Sequence, residues 1–128
     1  MDKKILFTAS LLGVIAIVLG AFGAHSLKEV LTLEQLNTFE TGVKYQMYHA
    51  LFLLFLGINA SVTEKIKKYV FRLILLGVLL FSGSIYLLAT MTVTNINFKV
   101  IGILTPIGGL LLILGWTIFG IQFLQKKS

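Results

Sequence analysis

The sequence has no cysteine and only one proline among its 128 residues. The absence of cysteine excludes disulfide bonds, thiolate metal sites and a cysteine nucleophile. Charged residues make up only 12% of the chain, whereas ordinary soluble domains contain about 25%. Hydrophobic residues are abundant instead, at 57%, and the mean hydropathy is +0.96. These values argue against a water-soluble fold and favour an integral membrane protein.

Four long stretches carry no Asp, Glu, Lys or Arg, namely residues 5–27, 45–63, 73–98 and 100–125. A helix needs about 20 apolar residues to cross a hydrocarbon core of roughly 30 Å. Helices pair their backbone groups internally, as the bilayer requires, and the alternating pattern of a membrane β-strand is missing. We therefore predict an all-α integral membrane protein, one domain over residues 1–128 with four transmembrane helices in a compact bundle. The predicted spans are residues 5–24, 45–60, 69–91 and 99–124.

Lysine and arginine are unevenly placed between the two ends of these spans. Eight of the eleven flank the N-terminus, the second connection and the C-terminus, and the other three are balanced by three glutamates. Because cytoplasmic loops are enriched in Lys and Arg, we predict a multi-pass protein of the plasma or inner membrane with both termini cytoplasmic. A cleaved signal peptide is the alternative for the first span, but the apolar run exceeds the usual length of about 7–15 residues.

The first outer connection, residues 26–44, contains two capping-box patterns, Ser26 with Glu29 and Thr32 with Gln35. Apolar residues then recur at steps of three and four. We predict a short amphipathic helix at the membrane surface that leads into the second span. A structured loop without a partner is the alternative. The second connection, residues 61–68, is predicted to be a solvated basic turn near anionic headgroups.

Small residues recur along the first span and form a narrow ridge that favours close helix packing, with a ligand groove beside it as the alternative. In the fourth span, Pro106 lacks a backbone N–H and predicts a kink that frees the Gly102 carbonyl; Thr105 or a water would satisfy that carbonyl. Such a kink can act as a hinge, but packing is the favoured role. The residues assigned to packing and to the kink are Gly13, Gly20, Gly23, Ala24, Gly102, Pro106, Gly108 and Gly109.

Polar side chains of the four spans fall at similar depths. With a rise of about 1.5 Å per residue, they lie in the outer half of the bilayer. If they face inward, they form one polar pocket walled by glycine-rich helices. The predicted members of this candidate pocket are His25, Tyr45, Tyr48, His49, Ser82, Ser84, Tyr86 and Thr105.

Four motifs in order along the chain resemble those of a known family: GAFGAH at 20–25, YQMYH at 45–49, FSGSIY at 81–86 and LTPIGG at 104–109. Trp116 after Gly115 is similar to that family's closing pattern. The family is the bacterial membrane family called domain of unknown function 423, or uncharacterised protein family 0382, related to eukaryotic transmembrane protein 256. The resemblance implies a four-helix integral membrane protein of bacterial type, and it supplies no activity, cofactor or catalytic residue.

Three classes of function are open to such a chain. The first is a structural or interaction protein whose polar cluster holds the helices together, and this is the favoured interpretation. The alternative is a small-ligand, lipid or ion site in the polar pocket, with proton exchange through His25 or His49. The third is an enzyme or haem protein, in which the histidines ligate iron or Glu40 joins a metal site.

The third class is disfavoured because the sequence has no Ser-His-Asp set, no paired carboxylates within the spans and no HExxH motif. We predict no enzyme activity, no catalytic residue, no metal site and no cofactor. Nucleic acid is excluded as a partner because the positive residues lie at helix ends rather than along one surface. The predicted partners are the lipid bilayer and a second copy of the chain or another membrane protein.

Overall fold

The computed structural model describes residues 2–91 and 99–124, and every regular element within these ranges is helical. The elements are α1 (Asp2–His25), a 3₁₀ turn (Leu27–Glu29), α2 (Leu33–Ile58), α3 (Glu64–Ala89), a second 3₁₀ turn (Lys99–Ile103) and α4 (Leu104–Ile121). The all-α prediction is therefore confirmed. Lys126 and Lys127, which contribute to the predicted orientation, lie outside the described residues.

Threonine side chains begin α2 and α3. The Thr32 hydroxyl accepts a bond from the Gln35 N–H, and the Gln35 side chain accepts one from the Thr32 N–H, so the capping box predicted at this position is confirmed. The Thr63 hydroxyl likewise accepts from the Ile66 N–H at 3.3 Å. The box predicted at Ser26 is wrong: Ser26 itself has helical angles, and its side chain makes no capping bond. An N-cap residue needs an extended backbone to place its hydroxyl over the helix end.

The segment between residues 33 and 44 is continuous with the rest of α2. A separate amphipathic helix lying on the membrane surface is therefore not confirmed. The capping box starts one helix at Leu33, and the sequence contains no proline that would end it before Ile58.

Pro106 lies in the first turn of α4, which begins at Leu104 after the 3₁₀ turn. The predicted kink in the interior of the fourth span is therefore wrong. The α-helix starts next to Pro106 and does not bend there. A proline in the first turn costs little because its missing N–H would have no partner within the helix.

Consecutive helices pack against each other, α1 on α2, α2 on α3 and α3 on α4. One hydrophobic cluster joins all four helices towards the N-terminal end of α1; its fully buried members include Ile5, Leu53, Val70 and Ile74. A second, smaller cluster lies at the opposite end. Its buried members are Leu27, Leu31, Phe39 and Ala89.

Within the described residues, three segments are long and apolar enough to cross a membrane, namely Asp2–Glu29, Glu64–Ala89 and Ile101–Ile121. The second helix is not among them. Its mean hydropathy is lowered by Gln46 and His49 among the apolar residues and by the charged residues in its N-terminal part.

Candidate functional site

Gln46 joins three helices from its position on α2. Its side-chain N–H donates to the Leu12 carbonyl of α1 at 2.8 Å, and its Oε1 accepts from the Tyr86 hydroxyl of α3 at 2.7 Å. The side chain is only 4% exposed. The candidate pocket predicted from the sequence does not include Gln46, although a buried glutamine in a membrane helix is a polar group that needs partners.

Close to this network, α2 and α3 approach each other at Gly42. The Ser82 hydroxyl donates to the Gly42 carbonyl at 2.8 Å. A Cβ added at Gly42 would lie 2.7 Å from Cε1 of Tyr86, so only glycine leaves room for this ring. Ser82 and Tyr86 therefore hold the contact between α2 and α3.

Ser84 points to the other side of α3 from this contact. Its hydroxyl is hydrogen-bonded to the Thr105 hydroxyl of α4 and donates to the Phe81 carbonyl at 3.0 Å. Thr105 thus bonds to α3 rather than to the Gly102 carbonyl, for which the sequence analysis had proposed it.

His49 lies 4% exposed on α2 with both ring nitrogens engaged. Its Nδ1 is 2.6 Å from the Tyr45 carbonyl, and its Nε2 accepts the indole N–H of Trp116 in α4 at 3.0 Å. Because the indole can only donate, Nε2 is the unprotonated nitrogen and Nδ1 carries the proton that is donated to Tyr45. The neutral imidazole is therefore held in one tautomer, with no nitrogen left to ligate iron.

The aromatic contacts of Trp116 continue this link between α2 and α4. Its ring centroid is 4.4 Å from that of Phe52, and Phe52 also meets Phe119 at 5.1 Å. Sequence reasoning did not place Trp116 in the site, because nothing in the local pattern shows that its indole faces His49 across a gap between two helices.

An open groove of about 810 Å³ lies between α2 and α4, with Phe81 of α3 at its floor. Tyr45 and Tyr48 lie at one end, and they are 40% and 52% exposed. The Tyr45 ring packs on Phe81 with centroids 5.1 Å apart. The other lining residues are His49, Leu51, Gly109, Leu112, Ile113, Trp116 and Thr117.

The eight residues predicted to form one pocket are thus divided among separate places. Tyr45, Tyr48 and His49 line the groove; Ser82 and Tyr86 lie in the α2–α3 contact, and Ser84 and Thr105 lie between α3 and α4. His25 is exposed at the end of α1, in a separate surface depression with Lys28 and Glu29. These residues lie on different helix faces and therefore do not converge on one pocket.

The small residues of α1 are divided in the same way. A Cβ at Gly23 would be 3.1 Å from the Phe39 ring, and one at Gly20 would be 3.5 Å from Val43, whereas Gly13 has no neighbour within 4 Å. Ala24 is exposed. The face of α1 that packs on α2 runs through Ile5, Ala9, Leu12 and Ala16 instead.

Glycines make the tightest contacts between α3 and α4. A Cβ at Gly108 would overlap the Phe81 backbone nitrogen and lie 2.9 Å from the Gly77 carbonyl oxygen. Gly109 faces the Phe81 ring at 3.6 Å, and Gly102 has only Leu88 nearby, at 3.9 Å. Of these, Gly108 is the residue on which the close approach of the two backbones depends.

At the opposite end of the bundle, Lys67 is buried, with 3% of its side chain exposed. Its ammonium group lies 3.1 Å from the Asp2 carboxylate of α1 and 3.4 Å from the Gly57 carbonyl of α2. The prediction of a solvated turn is therefore wrong for Lys67. Its ammonium group is buried and links α3 to α1 and α2. No sequence signal distinguishes it from its exposed neighbours Lys65 and Lys68.

Comparison with known proteins identifies the family. Residues 19–109 match the family model described as "Protein of unknown function (DUF423)". The chain belongs to this family.

Relatives in the family are similar over almost their whole length. The UPF0382 membrane protein SSP2132 of Staphylococcus saprophyticus is 41% identical, with 89% of this chain and 91% of the relative covered. A UPF0382 membrane protein of Haemophilus influenzae is 37% identical over 100% and 99% of the two chains. The UPF0382 inner membrane protein YgdD of Escherichia coli is 32% identical over 98% and 93%. No solved structure matches the chain.

The resemblance seen in the four motifs is thus confirmed, and the family is one of membrane proteins.

Proposed function

We propose that the chain crosses the membrane four times and that both termini are cytoplasmic. The second helix owes its lower hydropathy to Gln46 and His49, which are 4% exposed each and are shielded from lipid by α1, α3 and α4. At 26 residues, this helix is about 39 Å long, which is sufficient for a span. The eight basic residues on one side of the predicted spans favour that side as the cytoplasmic one.

We propose further that the protein binds a small amphiphile with one short apolar chain in the groove between α2 and α4. The observation that carries this proposal is the groove itself. Its volume of about 810 Å³ falls in the range of about 300–1,000 Å³ typical of small-molecule sites. Its walls are mainly aromatic and aliphatic side chains, which suit an apolar ligand.

The length of the groove favours a small molecule over a partner helix. The lining runs from Tyr45 to Leu51 on α2 and from Gly109 to Thr117 on α4, which is about 9 Å and about 12 Å at 1.5 Å per residue. A transmembrane partner would need a surface that extends over most of the roughly 30 Å core.

The polar end of the ligand is assigned to the two exposed tyrosines. Among the described residues, no side chain or backbone group is hydrogen-bonded to the hydroxyl of Tyr45 or Tyr48. His49, in contrast, is occupied by Trp116 and Tyr45. This arrangement favours binding over catalysis, because the one histidine at the groove has no nitrogen available for proton transfer.

Trp116 is the only tryptophan of the chain and lines the groove, so its fluorescence reports binding. We expect saturable quenching of Trp116 when a brominated fatty acid is titrated into the protein in detergent. Ile113→Phe narrows the groove and should weaken this binding at least tenfold. Leu110→Phe is the matched control, because Leu110 is 59% exposed on the same helix, against 62% for Ile113, and does not line the groove.

Quenching that rises in proportion to the probe without saturation, or to the same extent in both variants, contradicts the proposal. If the quenching saturates instead, mass spectrometry of the small molecules that co-purify with the protein from its own membrane identifies the natural ligand.

A structural or interaction protein is the second candidate function. It is favoured by the polar side chains, because no buried side-chain nitrogen or oxygen among the described residues lacks a hydrogen-bond partner. Such a protein would join a second copy or another membrane protein through its lipid-facing helices. Light scattering of the purified protein tests this candidate, which predicts a mass above one chain and no saturable binding of the brominated probe.

A further inference from the structure

A second cavity, of about 710 Å³, lies at the end of the bundle where α1 and α3 begin. Its lining consists of Lys4, Glu64, Lys65, Lys68, Tyr69 and Arg72. Four cations therefore surround one concave space together with a single carboxylate. The cavity is distant in the fold from the groove between α2 and α4, with which it shares no lining residue.

The cations of α3 lie on one side of the helix. Lys65, Lys68 and Arg72 are spaced three and four residues apart, and side chains at this spacing are neighbours on a helix surface. All three are exposed. Tyr69 lies between them and is 51% exposed, so a phenolic hydroxyl is available beside the positive charges.

The ion pair between Lys67, which is buried, and Asp2, whose side chain is 46% exposed, removes one acidic partner from the neighbourhood of these cations. Asp2 is the one acidic residue of α1, and its carboxylate is taken by Lys67 at 3.1 Å. None of the four cations of the cavity forms an ion pair with any residue that the structure describes. The same Asp2–Lys67 contact ties the start of α1 to the start of α3, so that Lys4 is held beside the cations of α3.

The helix dipole does not explain the presence of Lys4 and Lys65. Both lie in the first turn of their helices, where the partial positive charge of the N-terminal end is unfavourable for a cation. The general enrichment of basic residues on the cytoplasmic side accounts for the side of the membrane, but it does not require the side chains of two helices to converge on one cavity.

The depth of the cavity matches the lipid headgroups. Arg72 is the last charged residue before the uncharged stretch 73–98. From Glu64 to Arg72 the helix rises by about 12 Å, which exceeds the roughly 5–7 Å thickness of one interfacial region. The cluster therefore extends from the hydrocarbon boundary through the headgroup layer.

We propose that this cavity binds the phosphate group of an anionic phospholipid. Arg72 and the lysines supply charge-assisted hydrogen bonds to phosphate oxygens, and the Tyr69 hydroxyl supplies a further donor. The two positive helix ends add to the attraction. A bound lipid here joins α1 to α3 from the membrane side and adds to the Asp2–Lys67 ion pair between the same two helices.

The test is native mass spectrometry of the full chain in detergent, titrated with phosphatidylglycerol and, separately, with zwitterionic phosphatidylcholine. We expect phosphatidylglycerol to bind at least tenfold more tightly. The triple variant Lys65→Gln/Lys68→Gln/Arg72→Gln should lose at least tenfold in affinity for phosphatidylglycerol. The charge-matched control is Lys3→Gln/Lys28→Gln/Lys44→Gln, which removes three exposed cations outside the cavity and should change the affinity less than twofold.

Equal losses in the two triple variants would show attraction by net charge alone and would overturn the proposal, as would no loss in either. If the first triple variant does not purify as a folded protein, two single variants replace the two triple variants. Lys4→Gln should weaken the binding of phosphatidylglycerol, and Lys3→Gln should not.

Competition with inorganic phosphate identifies the source of the phosphate group. Retention of the lipid at millimolar phosphate indicates a lipid site, and its full displacement overturns the lipid assignment in favour of free phosphate.

Discussion

At the scale of single residues, α2 carries the polar groups on which the helix contacts depend. The Gln46 side chain donates to the Leu12 backbone carbonyl of α1 and accepts from the Tyr86 hydroxyl of α3, and His49 accepts the indole N–H of Trp116 in α4. Each bond crosses between helices, so a change at either partner leaves a buried polar atom unpaired.

Trp116→Phe tests the bond to His49. The phenyl ring can still pack on Phe52, but the donor to His49 Nε2 is lost, so we expect the free energy of unfolding to fall by about 0.5–2 kcal/mol. Unfolding in mixed micelles with increasing denaturing detergent measures this loss. In a double-mutant cycle with His49→Leu, a coupling energy near zero would show that the bond contributes nothing.

At the scale of elements, the contact of α3 with α4 depends on backbone proximity. Gly108 faces backbone atoms of Phe81 and Gly77, and these cannot move aside as the end of a flexible side chain can. Gly77 and Gly115 on the same two helices are close to Leu112 and Ile74, respectively. The two helices therefore fit each other through small residues, which is the usual basis of association in lipid.

Gly108→Ala should separate α3 from α4 and lower the free energy of unfolding by about 1–3 kcal/mol. Gly120→Ala is the control on the same helix, because a Cβ there has no neighbour within 4 Å. Alanine is the better helix former, so this control should be neutral or stabilising by up to about 1 kcal/mol. A similar loss in both variants, measured in the same detergent titration, would contradict the assigned contact.

At the scale of the whole molecule, the sequence predicted what depends on position along a helix axis. Charge-free stretches and a threonine cap are local signals, and they placed the helices near their observed limits, with the start of α2 as the largest difference. The depth of the polar residues in the bilayer, calculated from the rise per residue, stays a prediction. The sequence does not show which face of one helix meets which face of another. For this reason the predicted site lacked Gln46, Lys67 and Trp116 and included His25, which lies apart from the other members.

The proposed topology also belongs to this scale. The chain has no cysteine, so a single introduced cysteine can be labelled without background. In intact cells, a membrane-impermeant maleimide should react with Glu40→Cys but not with Lys3→Cys, Glu64→Cys or Lys126→Cys. The last three should react only after the membrane is permeabilised.

Labelling of Glu40→Cys and Glu64→Cys from the same side would mean that α2 does not cross the bilayer. The permeabilised sample is the control for each variant, because it shows that the cysteine is accessible to the reagent once it can reach both sides.

The order in which α2 acquires its partners follows from the packing of consecutive helices. During synthesis the N-terminal parts of a chain fold first, so Leu12 is already present when Gln46 is added to the chain. The Tyr86 hydroxyl arrives 40 residues later, and the Trp116 indole reaches His49 only after 67 residues. The second helix to be made thus acquires its last hydrogen-bond partner only when α4 is complete, and a chain that stops before α4 leaves His49 without the indole N–H of Trp116.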